Sequence, residues 1–102
     1  DVAEVLCKKV LEDNENFGIA ICGTGIGISI AANKFKGIRC ALVHDTFSAK
    51  ATRNHNDSNI LAMGERVIGF GLAREIVATW LNTDFEGGRH SARVAKISEI
   101  EA

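Results

Sequence analysis

The segment that most limits the fold is a short apolar run, Gly18-Ile19-Ala20-Ile21-Cys22, which ends in alternating glycines, Gly23-Thr24-Gly25-Ile26-Gly27. A run of this length between turn signals suits a buried strand. Glycines let the backbone turn sharply and approach a ligand closely. Immediately beyond, Ile28, Ala31, Ala32 and Phe35 fall at helical intervals. Strand, glycine loop and helix in that order form the opening of a βα unit.

The rest of the chain repeats the theme. Ala3, Leu6, Cys7, Val10 and Leu11 form a helical apolar stripe before the first strand. Ile38 to Val43 reads as a second strand, Thr46 to about Asn54 as a helix, and Asn59 to Met63 as a third strand. Ala73, Ile76, Val77, Trp80 and Leu81 repeat the helical template. A loop at Asn82 to Gly88 leads to a last helix with Val94, Ile97 and Ile100 expected inward. The order α-β-α-β-α-β-α-α predicts an α/β domain over residues 1–102, with a parallel sheet between helical layers. Such sheets bind ligands beyond the carboxyl ends of their strands. A chain that starts on a helix and has three strands reads as an N-terminally incomplete sheet.

Composition narrows the function classes. A net charge of −1 leaves no basic excess for nucleic acid and no polybasic patch for a membrane surface. No apolar run approaches the ~20 residues that span a bilayer. The opening Asp1-Val2-Ala3-Glu4 does not read as a signal peptide. Cys7, Cys22 and Cys40 are odd in number, widely spaced and without a C-x-x-C pair, against a disulfide framework or a zinc site. A reducing cytoplasm is the simplest setting. The histidines have no metal-ligand spacing with the cysteines, so no metal or other cofactor is expected.

The glycine loop carries the first chemical signal. Amides of Gly23, Gly25, Ile26 and Gly27 form a nest for a phosphate or a developing oxyanion. The spacing is neither a dinucleotide fingerprint nor a P-loop, which needs Lys then Ser/Thr after its second glycine. Cys22 ends the strand at the ligand edge. A cysteine beside anion-binding amides and a helix start acquires thiolate character, as nucleophile or general base. Cys7 and Cys40 read as inert small hydrophobes.

Three separated segments carry a resemblance. Ile21-Cys22-Gly23-Thr24-Gly25-Ile26-Gly27-Ile28-Ser29-Ile30-Ala31-Ala32-Asn33-Lys34, Arg53-Asn54-His55-Asn56-Asp57-Ser58-Asn59, and Phe85-Glu86-Gly87-Gly88-Arg89-His90 with Arg93 resemble the type B ribose-5-phosphate isomerases. That family also contains the galactose-6-phosphate isomerase subunits. The resemblance implies a three-layer α/β/α sandwich with a Rossmann-like sheet and metal-free aldose–ketose isomerisation of a small sugar phosphate. It makes Cys22 the base, His55 the ring-opening acid, and Thr24 with the Gly23–Gly27 amides the holder of the enediolate oxygens. Asn56 becomes a substrate contact, and Arg89 and Arg93 become phosphate ligands. It implies homodimers or homotetramers, and that this chain corresponds to the C-terminal two thirds of the family domain.

The residues allow two further expectations. Arg89 and Arg93 lie four apart, on one face of a helix and at its start, where cations oppose the helix dipole. Glu99 and Glu101 lie at its end, again reversed, a pattern that fits a bound anion at the start. Cys22 belongs to the carboxyl edge of the sheet, whereas His55 follows a helix returning to the opposite edge. His55 and Asn56 are therefore expected to serve the Cys22 of a second subunit. His44, just after a strand, is a lesser candidate for the pocket. Galactose 6-phosphate or allose 6-phosphate chemistry, or a non-catalytic phosphosugar-binding subunit, are the alternatives. A nucleotide-binding module lacks both the P-loop lysine and a ribose-binding acid.

Overall fold

A computed structural model describes residues 1–101. The elements are α1 (Val2–Leu11), β1 (Gly18–Cys22), α2 (Ile26–Ala32), β2 (Cys40–Leu42), α3 (Thr46–Asn56), β3 (Ile60–Gly64), α4 (Phe70–Leu81) and α5 (Arg89–Ile100). The order matches the periodicity of the sequence, and both strand pairings are parallel, in the order β1-β3-β2.

β3 is the spine because all five of its residues are buried. Its alternation sorts the core into two layers. Ile60 and Ala62 face Cys7 and Val10 of α1 and Ala32 of α2. Leu61 and Met63 face Ala49 of α3 and Ile76 and Trp80 of α4. The indole of Trp80 donates to Ser58 Oγ at 2.9 Å, so the largest core side chain buries no orphan donor. Two helices start on side-chain caps: Asp1 accepts from the Glu4 amide at 3.0 Å, and Asp45 from the Ser48 amide at 2.6 Å.

Two expectations need correction. The run forming β1 reads as a buried strand, but it lies at the edge of the sheet among the described residues and buries only Gly18 and Ala20; Ile19 and Ile21 alternate outward and are exposed. Val94, Ile97 and Ile100 do not face the core either. Val94 is half-buried, while Ile97 and Ile100 are 42% and 85% exposed. α5 packs on α3 beyond the margin of the sheet and buries only His90. Helical periodicity reports an amphipathic face, not the presence of something to cover it.

Candidate active site

The expected site residues fall into two groups at opposite ends of the sheet. The first surrounds Cys22. Its register partner across the ladder is Gly64. The Cys22 carbonyl accepts from the Glu65 amide at 2.8 Å, and the Gly23 carbonyl from the Arg66 amide at 3.1 Å. The loop after β1 is thus laced to the loop after β3. Two glycines make that approach possible. Gly25 has φ +78°, and a Cβ there would sit 2.8 Å from the Met63 carbonyl carbon. A Cβ on Gly64 would sit 2.6 Å from the Thr24 carbonyl carbon and oxygen.

This packing fixes the Cys22 sulfur. The Gly25 amide donates to Sγ at 3.1 Å, the kind of partner that suits a sulfur carrying negative charge. The Ile26 amide donates to Thr24 Oγ1 at 3.3 Å. Two of the amides expected to bind an anion therefore have partners within the loop. An incoming oxygen must use the others or displace these contacts. Gly27 lies in the first turn of α2, with open space where a Cβ would be. Arg66, which the sequence motifs do not single out, runs its exposed side chain past Gly23, with Nε 3.8 Å from where a Cβ would stand. Its signal was position: a charged residue just after a fully buried strand, at the ligand edge.

The second group surrounds His55. α3 ends at Asp57, whose backbone is left-handed at φ +50°. Two arginines hold this turn. Arg53, 5% exposed, donates to Asp57 Oδ1 at 2.9 Å, to the Ser58 carbonyl at 2.6 Å and to the Thr83 carbonyl at 3.2 Å. Its guanidinium also lies over the Phe17 ring at 4.8 Å. Arg39 Nε donates to the Asp57 carbonyl at 2.8 Å. The last turn of α3 presents His55 and Asn56 from this brace. Asn56 lines a cleft beside β2 with Arg39, Cys40, Ile97 and Ile100.

The His55 ring stacks on His90, with centroids 4.3 Å apart and planes inclined by 19°. Glu86 Oε1 lies 4.0 Å from His55 Nε2 and 3.7 Å from His90 Nε2. Arg89 Nε approaches His90 Nε2 at 3.5 Å, and Arg93 follows one turn along α5. Burial, followed by His55 and Arg89, holds the His90 imidazole below the usual histidine range. Arg89 and Arg93 do occupy the start of α5. Glu101, at the other end, has a reason of its own: its carboxylate accepts from the Gly37 amide at 3.1 Å. Glu101 thus drops out of the reversed charge pattern, and the arginines at the start of α5 remain in it.

His55, Glu86 and His90 are also a group of three possible metal ligands among the described residues. Two nearly parallel stacked rings do not aim their in-plane lone pairs at one point without turning. The neighbouring guanidinium groups oppose a cation as well.

Within one chain the two groups stay apart. Cys22 pairs with Gly64 at the end of β3, whereas His55 precedes the start of β3 at Ile60. Four strand steps separate those ends by ~13 Å. The cysteine and the histidine thus sit beyond opposite edges of the sheet.

A profile described as Ribose/Galactose Isomerase matches residues 1–97. A Bacillus subtilis protein, YwlF, whose name places it provisionally among sugar phosphate isomerases, is 67% identical over 101 residues, covering 99% of this chain and 68% of the relative. The ribose-5-phosphate isomerase B of Escherichia coli is 57% identical over 84 residues, covering 82% of this chain and 56% of that protein. A solved ribose-5-phosphate isomerase B from Clostridium thermocellum superposes with a TM-score of 0.94 at 54% identity, covering 97% of this chain and 67% of its own. The chain thus spans about two thirds of the length of most of these relatives and little more than half of the Escherichia coli one. The chain belongs to the Ribose/Galactose Isomerase family.

Proposed function

We propose that this chain forms part of an aldose–ketose isomerase that interconverts ribose 5-phosphate and ribulose 5-phosphate. The observation that carries the reading is the Cys22 sulfur, held by the Gly25 amide at the carboxyl edge of a parallel sheet inside a glycine loop. The same three motifs that carry the resemblance supply a base, a ring-opening acid, an oxyanion site and a phosphate clamp.

His55 opens the sugar ring by giving a proton to the ring oxygen as the C1 hydroxyl loses one. Cys22 thiolate then takes the proton from C2. The C–H electron pair forms the C1–C2 double bond, and the C1 carbonyl becomes an enediol oxygen. Transfer of the C2 hydroxyl proton to the C1 oxygen, and return of the proton from Cys22 to C1 with the electron pair of the double bond, leave the ketose. Charge develops on the enediolate oxygens, where Thr24 and free amides of Gly23 to Gly27 stabilise it. Arg89 and Arg93 bind the phosphate, and Asn56 contacts the sugar. The separation of the two groups supports a site built by two subunits, so the working unit is a homodimer or homotetramer. No step needs a metal, and three free cysteines suit the cytoplasm.

Turnover of ribose 5-phosphate, compared with galactose 6-phosphate and allose 6-phosphate, tests the reading. Conversion of the pentose, lost in C22A, is the expected result. Preference for a hexose phosphate selects the alternative substrate, and binding without turnover selects a phosphosugar-binding subunit.

A further inference from the structure

His44 has a task that the isomerase chemistry does not use. The last backbone rung between β2 and β3 is the Val43 amide donating to the Ala62 carbonyl at 3.0 Å. The chain then leaves the sheet toward Asp45, the cap of α3. Gly64, two residues on along β3, would be left with an unpaired amide in a buried strand, a costly state. The His44 side chain fills the gap: the Gly64 amide donates to Nε2 at 2.9 Å. An imidazole thus extends the ladder by one rung. Gly64 is also the residue on which the Thr24 backbone rests and the register partner of Cys22.

Nε2 accepts only when the imidazole is neutral with its proton on Nδ1. A protonated ring would set one N–H against another, so the rung and the second proton exclude each other. We propose that His44 is a positioning residue for the Cys22–Thr24 loop, holding it in its ligand-binding shape while neutral and releasing it when protonated. This rests on the isomerase reading for its consequence, though not for the rung itself. The charged and titratable groups nearby are Asp45 beside it, Cys22 across from Gly64, and Glu65 and Arg66 just after Gly64. Asp45 is already engaged by the Ser48 amide and hydroxyl.

The test compares the protein with H44Q and H44F between about pH 5 and pH 8, the span in which histidine changes charge. A glutamine amide oxygen can take the place of Nε2 and does not titrate. Nitrogen NMR should show the Gly64 amide coupled to His44 Nε2 at the upper pH and uncoupled at the lower one. The Gly64 amide shift should stay flat in H44Q. The KM for ribose 5-phosphate should rise ~3- to 10-fold more on acidification in the parent than in H44Q, the worth of one hydrogen bond. H44F, where it folds, should show the raised KM at both pH values. Equal pH responses of the Gly64 shift and of KM in the parent and H44Q would overturn the proposal. Failure of the isomerase reading looks different: no turnover at any pH, with the Gly64 coupling intact.

Discussion

The imidazoles of His55 and His90 lie face to face, 4.3 Å between centroids, with Glu86 reaching toward both. Two protonated rings in that stack would repel, and His90 is the buried one. Burial and the neighbouring cations hold His90 below the usual histidine range, so the folded chain refuses a proton that the unfolded chain accepts. Stability is then full above the ordinary histidine range and falls as the pH drops through it toward the lower folded value. Chemical denaturation at pH 7.5 and at pH 5.5, both inside the window about histidine titration, should show a lower midpoint in acid. H90F should lessen that difference. An unchanged difference in H90F would place the acid sensitivity elsewhere.

The three cysteines should separate by reactivity. Cys7 is fully buried, and burial pushes its thiol up. Burial, with Cys7 close by, pushes the Cys40 thiol up to about 12. At pH 8 such a thiol carries roughly a thousandfold less thiolate than an ordinary cysteine. Iodoacetamide followed by peptide mass mapping should label Cys22 first, with Cys7 and Cys40 labelled only after denaturation. Cys40 labelling as fast as Cys22 would contradict this.

Gly64→Ala should damage the loop more than a surface change does. The new methyl meets Thr24 backbone at 2.6 Å, and backbone on both sides leaves no flexible end to yield. Overpacking of this kind costs ~1–3 kcal/mol. The melting temperature should fall, and Cys22 labelling should change rate because its loop moves. Unaltered melting and labelling would show that the close approach carries no constraint.

Arg53→Ala should be the most destabilising change at the His55 end. It leaves the left-handed turn at Asp57 to Arg39 alone and removes the guanidinium from two carbonyls and the Phe17 ring. The pair with Asp57 is only partly buried, so the larger loss is the hydrogen bonds to the Ser58 and Thr83 carbonyls, and together these cost ~1–3 kcal/mol. R53K keeps the charge but not the fork that reaches three acceptors, so it should recover only part of the loss. Urea denaturation reads both. A loss below about 1 kcal/mol in R53A would contradict the bracing role.

Much of this was legible in the sequence. The periods of Ala3 to Leu11 and Ala73 to Leu81, the apolar runs and the glycine loop predict the element order and parallel sheet seen here. The motifs also predict that Cys22 and His55 face opposite edges, since a helix following a strand returns the chain across the sheet. Side-chain partnerships were not legible. Nothing in the spacing of His44 and Gly64, 20 residues apart, predicts a ladder rung between them. His90 sits inside a motif in which the arginines draw attention, and only the packing of α5 against α3 brings it onto His55. Arg66 belongs to no motif, and its place beside Gly23 follows from β1 and β3 being neighbours, a pairing that periodicity does not set. Ile97 and Ile100 fail for a related reason: an apolar period marks a face but not its cover.

Cys22 of one subunit is proposed to work with His55 of another, and subunit mixing tests this directly. C22A and H55A should each lower turnover of ribose 5-phosphate by about 100-fold or more, as loss of a catalytic acid or base does. Unfolded together and refolded as an equal mixture, they form hybrids in which one site carries both changes and the other carries none. With random pairing in a two-fold dimer, about a quarter of the parent activity should return. Activity that stays at the level of the single variants would contradict a shared site.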